Sequence, residues 1–213
     1  MIQRKKTVNL EYGLATPLPV MEHFYTLQGE GAWAGTAAYF VRLAGCDVGC
    51  HWCDVKDSWR PDAYPRMSCD AIAQAALASG AERVVITGGE PTIYDLSHLA
   101  ETLRREGLIV HMETAGPHVL KGQIDWICLS PKKFLMPHPE IYALAHELKV
   151  VIYNEQDFVW AEMQAAKCAE HTLRFLQPEW SRRDRLTSQI VQYIKDHPHW
   201  RLSLQTHKYI DIP

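Results

Sequence analysis

Three thiols crowd into eight residues of this chain, Cys46-Asp47-Val48-Gly49-Cys50-His51-Trp52-Cys53, at the spacing C-x3-C-x2-C. Iron–sulfur clusters are held mainly by thiolates, and a cubane with three protein ligands leaves one iron open to a chelating ligand from outside. A tetrahedral zinc site completed by His51 or Cys69 is the rival. Zinc motifs commonly come as two separated pairs, and no second pair follows here. A redox thiol pair would leave the third cysteine without a reason. Cys69, Cys128 and Cys168 are scattered, which suits packed cysteines in a reducing compartment and not a disulfide framework.

A second group suited to chemistry is Thr87-Gly88-Gly89-Glu90-Pro91, which begins 34 residues after the last of the clustered thiols (53 to 87). Bare glycine backbone lets a small zwitterion approach closely and hydrogen-bond to exposed carbonyl and amide groups.

Both groups need a scaffold, and the hydrophobic period supplies one. Short β-branched runs at Ala37–Leu43, Arg83–Thr87, Leu108–Glu113, Asp125–Ser130, Glu147–Ile152, Thr172–Gln177 and Arg201–Thr206 read as strands. Cys69–Ser79, Tyr94–Arg105, Asp157–Glu170 and Arg182–Asp196 read as helices between them. This alternation predicts an α/β fold with parallel strands, too short for a complete eight-fold barrel and therefore open or partial. Ligands of parallel α/β sheets sit at the carboxyl ends of the strands. Those exits read Gly45-Cys46, Thr87 to Pro91, Glu113-Thr114, Ser130-Pro131-Lys132, Gln177-Pro178 and Gln205-Thr206-His207-Lys208, and together they outline one concave rim.

With 213 residues and 47% hydrophobic content the chain suits one buried core, so residues 20–213 are expected to form a single domain behind an irregular extension, 1–19, whose end Pro17 and Pro19 mark. A net charge of −3 with no long Lys/Arg run argues against nucleic acid as a partner. No apolar stretch could span a membrane, and Met1 to Lys6 are not followed by the apolar run of a signal peptide, so a soluble, cytoplasmic protein is expected.

The cysteine spacing, with Trp52 directly before Cys53, resembles the signature loop of the radical S-adenosylmethionine superfamily, and Thr87 to Pro91 resembles its glycine-rich element. Further ordered elements narrow the likeness: Leu27-Gln28-Gly29-Glu30-Gly31, Phe40-Val41-Arg42-Leu43, Ser130-Pro131-Lys132, Gln177-Pro178 and Gln205-Thr206-His207-Lys208. The chain after its extension resembles the 7-carboxy-7-deazaguanine synthase family, lyases of the deazapurine pathway that leads to queuosine.

The resemblance implies a small incomplete barrel and a radical ring contraction of 6-carboxy-5,6,7,8-tetrahydropterin to 7-carboxy-7-deazaguanine with loss of ammonia. It implies a 4Fe-4S cluster on Cys46, Cys50 and Cys53. S-adenosylmethionine would lie against Trp52, Cys53, Asp54, Gly89, Ser130, Pro131, Lys132, Gln177, Pro178, Glu179 and Trp180. The pterin would meet Leu27, Gln28, Gly29, Glu30, Arg42, Thr87, His207 and the terminal carboxylate of Pro213. A homodimer and a one-electron reductant such as flavodoxin or ferredoxin are implied as partners. No side chain is an obvious general base; Glu30, Glu90 and Glu113 are candidates by type.

Two positions depart from the pattern. Val55 stands where the family commonly has a Thr or Ser ligand for magnesium, which leaves Asp57 or Ser58 as other oxygen donors, and Ala115 stands where relatives often have a polar residue. A glycyl-radical activating enzyme would share the cysteine triplet and glycine turn but would leave Leu27 to Gly31 without a reason, and a zinc-stabilised binding module would explain the thiols alone.

Overall fold

The structure is a computed structural model that describes residues 16–213. Its strands are β1 (Leu18–Leu27), β2 (Ala37–Leu43), β3 (Arg66–Met67), β4 (Arg83–Gly88), β5 (Ile109–Thr114), β6 (Trp126–Leu129), β7 (Glu147–Ile152), β8 (Leu173–Pro178) and β9 (Arg201–Leu202). Its helices are α1 (Cys69–Ala78), α2 (Ser97–Arg105), α3 (Ile141–Leu144), α4 (Gln156–Ala165), α5 (Arg183–Asp196) and α6 (Thr206–Ile210). The strands form one sheet in the order β3-β1-β2-β4-β5-β6-β7-β8-β9, parallel from β2 to β9, with β1 and β3 antiparallel.

Each parallel strand has two buried faces that differ in character. On β4, Val84 and Ile86 enter the main core with Ile72 and Ala76 of α1 and Leu99 and Leu103 of α2, while Val85 faces inward with Ala38 and Phe40 of β2. On β7, Leu148, Val150 and Ile152 enter the helix-side core, so Glu147, Lys149 and Val151 must face the interior. Fully burying a Leu or Ile side chain stabilises by about 1.5–3 kcal/mol, so the helix-side layer anchors the fold and frees the inner face for polar residues.

The sheet curls until the chain after β9 meets the chain after β1. The Thr206 N–H donates to Gly29 O at 2.9 Å, and the Gly31 N–H to Ser203 Oγ at 3.0 Å. This makes the expected partial barrel. Trp33 and Trp126 plug the amino ends of the strands beside His111, and the Arg83 guanidinium lies 4.5 Å over the Trp33 ring. Burial, with Arg83 second, pushes His111 down to about 4, so its imidazole is neutral in ordinary buffers.

Three sequence expectations need correction. Strand β1 begins at Leu18, so Leu18 and Pro19 belong to the sheet; residues 1–15 of the expected extension lie outside the described residues. The segment Leu27 to Gly31 follows a strand instead of only preceding one. The final strand is Arg201–Leu202 and not Arg201–Thr206, because the Ser203 N–H makes a last ladder bond to Leu176 O before the chain turns across to Gly29 and Thr206 opens α6. Among the described residues no helix is long and apolar enough to cross a membrane.

Candidate functional site

A pocket of about 510 Å³ runs along the barrel interior. At the carboxyl ends of the parallel strands it is walled by Cys46, Val48, Cys50, Trp52, Cys53, Asp54 and Val55 after β2, by Thr87 to Glu90 after β4, and by Ser130, Lys132 and Gln177 to Trp180 farther round. Because β1 runs antiparallel, its end brings Leu27, Gln28, Gly29 and Glu30 into the pocket from the opposite direction. Arg42, His207 and Pro213 also line it. Of the residues expected to meet the cluster, S-adenosylmethionine or the pterin, Pro131 alone does not line the pocket. It is buried between Ser130 and Lys132, whose side chains point the other way along an extended segment.

All three thiols are free and open into the pocket. Val48, Cys50 and Ala115 form an apolar cluster against which Cys46, Trp52, Cys53 and Leu135 pack. Burial pushes the Cys50 thiol up to about 11 against the pull of Lys132, and raises Cys46 against the Val48 and Gly49 N–H groups. Cys53 raises Cys46, and Cys46 and Cys53 raise Cys50, by charge repulsion, so the sulfurs share one locality that added positive charge would make favourable to thiolates. Among the described residues no three His, Cys, Asp or Glu side chains gather closely enough to hold a single metal ion. In a cubane each thiolate takes its own iron, so the three sulfurs need not converge on one point as the ligands of a tetrahedral zinc centre must.

The glycine-rich turn is fixed by backbone contact. The Gly89 N–H donates to Leu43 O and the Glu90 N–H to Gly45 O, both at 2.8 Å. Gly88 has φ +130°, and a Cβ there would lie 2.0 Å from Leu43 O. Glu90 is 1% exposed and its carboxylate accepts from the Thr92 N–H (2.9 Å), the Thr92 hydroxyl (2.6 Å), the Ala115 N–H (2.8 Å) and the Thr114 hydroxyl. Four donors leave it no part as a base; it ties the exit of β4 to that of β5. Lys132 Nζ donates to Ser130 O at 2.5 Å and Ser130 Oγ at 2.7 Å and lies 5.9 Å over the Trp52 ring.

The inner wall carries a charged array that sequence reasoning missed. Lys149 Nζ donates to Glu30 Oε2 and lies 3.5 Å from Glu113 Oε1, with only 4% of its side chain exposed. Gln28 Nε2 donates to Glu113 Oε1 at 3.0 Å, and Gln205 Nε2 to Glu30 Oε1 at 2.9 Å. Burial alone would raise the Glu30 carboxyl, but Lys149 and the Gln205 amide outweigh it and hold Glu30 at about 2. Burial would likewise lower Lys149, yet Cys128, Glu113, Glu30 and Glu147 around it hold its ammonium well above the usual range. Glu113 Oε2 has no protein donor among the described residues. The signal was present: a lysine two residues after Glu147, in a strand whose intervening residues are all apolar, can only point into the barrel.

Helix α6 links the two ends of the pocket. His207 packs so tightly on Gly29 that a Cβ there would lie 2.1 Å from Nδ1, and burial holds the imidazole below its usual pKa. Lys208 Nζ bonds Asp54 Oδ2 at 2.7 Å and lies 5.1 Å over the Trp180 ring. Val55 faces the pocket, but Asp57 and Ser58 do not line it, and the Ser58 hydroxyl is spent on Val55 O at 2.7 Å. This loop therefore offers a magnesium ion in the pocket one side-chain carboxylate, Asp54, already paired with Lys208.

The chain is similar to known proteins over nearly its whole length. The model of the Radical SAM superfamily matches residues 41–148. A 7-carboxy-7-deazaguanine synthase of Flavobacterium psychrophilum is 53% identical over 92% of this chain and 93% of its own. One from Synechocystis is 49% identical over 93% of this chain and 95% of its own. The crystal structure of QueE from Escherichia coli superposes with a TM-score of 0.81 at 30% identity, covering 95% of this chain and all of that one.

Proposed function

The chain belongs to the 7-carboxy-7-deazaguanine synthase family of radical S-adenosylmethionine enzymes, and on that premise we propose how its pocket divides the work of contracting 6-carboxy-5,6,7,8-tetrahydropterin to 7-carboxy-7-deazaguanine with loss of ammonia. One observation carries the reading: the three thiols and the Lys149 array open into a single cavity, so a cofactor at one end and a polar heterocycle at the other would lie in contact.

Cys46, Cys50 and Cys53 would hold the 4Fe-4S cluster. When bound, cluster and S-adenosylmethionine together supply one-electron abstraction of a hydrogen atom from the substrate. The residues of the chain bind, orient and exclude water. Trp52, Asp54, Gly89, Ser130, Lys132 and Gln177 to Trp180 surround the S-adenosylmethionine end, where Lys132 is braced by Ser130 with its ammonium over the Trp52 ring.

At the other end, a pterin presents an amino-pyrimidinone edge rich in N–H donors. Glu30, kept ionised by Lys149, and Glu113, with Oε2 free, are the matching acceptors; Leu27 to Gly29 add backbone groups, and Pro213 lies in the same wall. Glu113 Oε2 is also the carboxylate oxygen best placed to receive a proton as the ring rearranges. Arg42 supplies the cation for the substrate carboxylate, with Thr87 beside it on β4 in direct register. His207, neutral near pH 7, offers a ring nitrogen to the same ligand.

Residues 18–213, with Leu18 and Pro19 in the sheet, would act as one catalytic domain. Family likeness alone supports a cytoplasmic homodimer that draws single electrons from flavodoxin or ferredoxin. Magnesium bound with the substrate would rest on substrate oxygens and water, because Val55 cannot ligate.

The test is an anaerobic reaction of cluster-loaded protein with reductant, S-adenosylmethionine and 6-carboxytetrahydropterin, followed by mass spectrometry. Appearance of 7-carboxy-7-deazaguanine, absent with Cys50→Ala, is expected. Cleavage of S-adenosylmethionine without that product would overturn the substrate while leaving the radical chemistry standing.

A further inference from the structure

Strand β1 has one residue too many for regular pairing with β2. Val20 lies opposite Leu43, yet Glu22 lies opposite Arg42, and the register then runs unbroken through Phe24 and Phe40 to Leu27 and Ala37, so Met21 is the extra residue of a β-bulge. In a regular strand Val20 and Glu22 would share a face. Instead Val20 is buried with Leu43 in the helix-side core, and Glu22 shares the face of Arg42, Phe40 and Phe24, all three of which line the pocket. A bulge of this kind re-aims a side chain.

The re-aimed carboxylate has a partner. Glu22 Oε1 accepts from Nε of Arg42 at 2.5 Å, and among the described residues Nη1 and Nη2 of Arg42 have no acceptor. A guanidinium can take a carboxylate through its Nε–Nη2 side or through its Nη1–Nη2 end. With Nε occupied, the end remains.

We infer that Glu22 is a positioning residue for carboxylate selectivity: by holding Nε it presents the Nη1–Nη2 end of Arg42 to the carboxylate of the pterin. The inference rests on the reading of Arg42 given above as the cation for that group.

Two effects of Glu22 oppose each other. Its charge repels an incoming carboxylate, but its side chain is 46% exposed, where water and salt screen the repulsion. Its hydrogen bond fixes a long side chain that would otherwise lose rotamer freedom only on binding substrate. Orientation therefore outweighs repulsion. Glu22→Gln removes the charge and keeps an acceptor oxygen, whereas Glu22→Ala removes both.

The experiment is fluorescence titration of 6-carboxypterin and of pterin without the carboxylate into cluster-loaded protein with S-adenosylmethionine, read as the ratio of the two dissociation constants. Glu22→Ala is expected to lower the preference for the carboxylate about three- to tenfold with pterin binding unchanged, while Glu22→Gln keeps it at or above the parent value. A raised or unchanged preference in Glu22→Ala overturns the inference. So does equal weakening of both pterins, the mark of a merely structural role, or a Glu22→Gln variant no better than Glu22→Ala. Arg42→Ala tests the underlying reading separately: the preference should collapse, and its survival would remove Arg42 from the carboxylate whatever Glu22 does.

Discussion

The two ends of the pocket stand in opposite states of completion. On the inner wall Lys149, Glu30, Glu113, Gln28 and Gln205 already answer one another, and the fold itself favours the ionised forms of Lys149 and Glu30. In the cysteine loop, burial and mutual repulsion disfavour the form of Cys46 and Cys50 that a cluster needs. Charges anchored by Glu113 of β5 and Lys149 of β7 are thus partners of folding, while the thiols held on a loop depend on something brought from outside. Damage to the first should cost stability and pterin binding together; damage to the second should cost chemistry alone.

Lys149→Met is the hardest blow to that contrast. It leaves Glu30 and Glu113 facing each other without their cation, and removing one partner of a buried pair costs about 3–5 kcal/mol, which the urea midpoint would report along with lost pterin binding. An unmoved midpoint would erase the distinction between the two ends. Glu30→Gln should cost less, about 1.5–3 kcal/mol, because Lys149 keeps Glu113. Glu30 also sets a pH signature: its folded pKa of about 2 lies below the ordinary 4.5, so its stabilisation is complete above 4.5 and drains away as pH falls toward 2. Melting curves across that window should slope less steeply in Glu30→Gln than in the parent.

From the other side, Cys50→Ala should abolish iron and sulfide retention and S-adenosylmethionine cleavage, yet shift stability by no more than about 1 kcal/mol and leave pterin binding intact. Loss of pterin binding in that variant would show the two ends to be one cooperative unit. Lys208→Ala should have the smallest effect, since Asp54 is 56% exposed and such pairs contribute at most about 1 kcal/mol. A several-fold rise in the S-adenosylmethionine dissociation constant is the expected ceiling.

What the sequence disclosed follows the same division. The cysteine loop, the glycine turn and most strand exits are local signals, written in adjacent residues and legible without a structure. Strand β1 escaped notice because its bulge at Met21 switches the alternation in mid-strand and Pro17 and Pro19 mimic the end of an extension. Lys149, Gln205 and the bond from Gln28 to Glu113 join residues far apart in the chain, and no spacing rule brings them together. Glu90 was legible as a carboxylate at a strand exit; that four donors would saturate it was not.

The contact of Gly88 and Gly89 with Leu43 and Gly45 bears on how tolerance to substitution is interpreted. A Cβ at either glycine would stand about 2 Å from a backbone carbonyl oxygen of the neighbouring exit, and backbone cannot step aside as a side chain can. A saturation library would therefore score both positions as essential even in a descendant that had abandoned S-adenosylmethionine. Invariance at this turn records the seam between two strands, so a lineage could change its chemistry and still be held to the same two glycines.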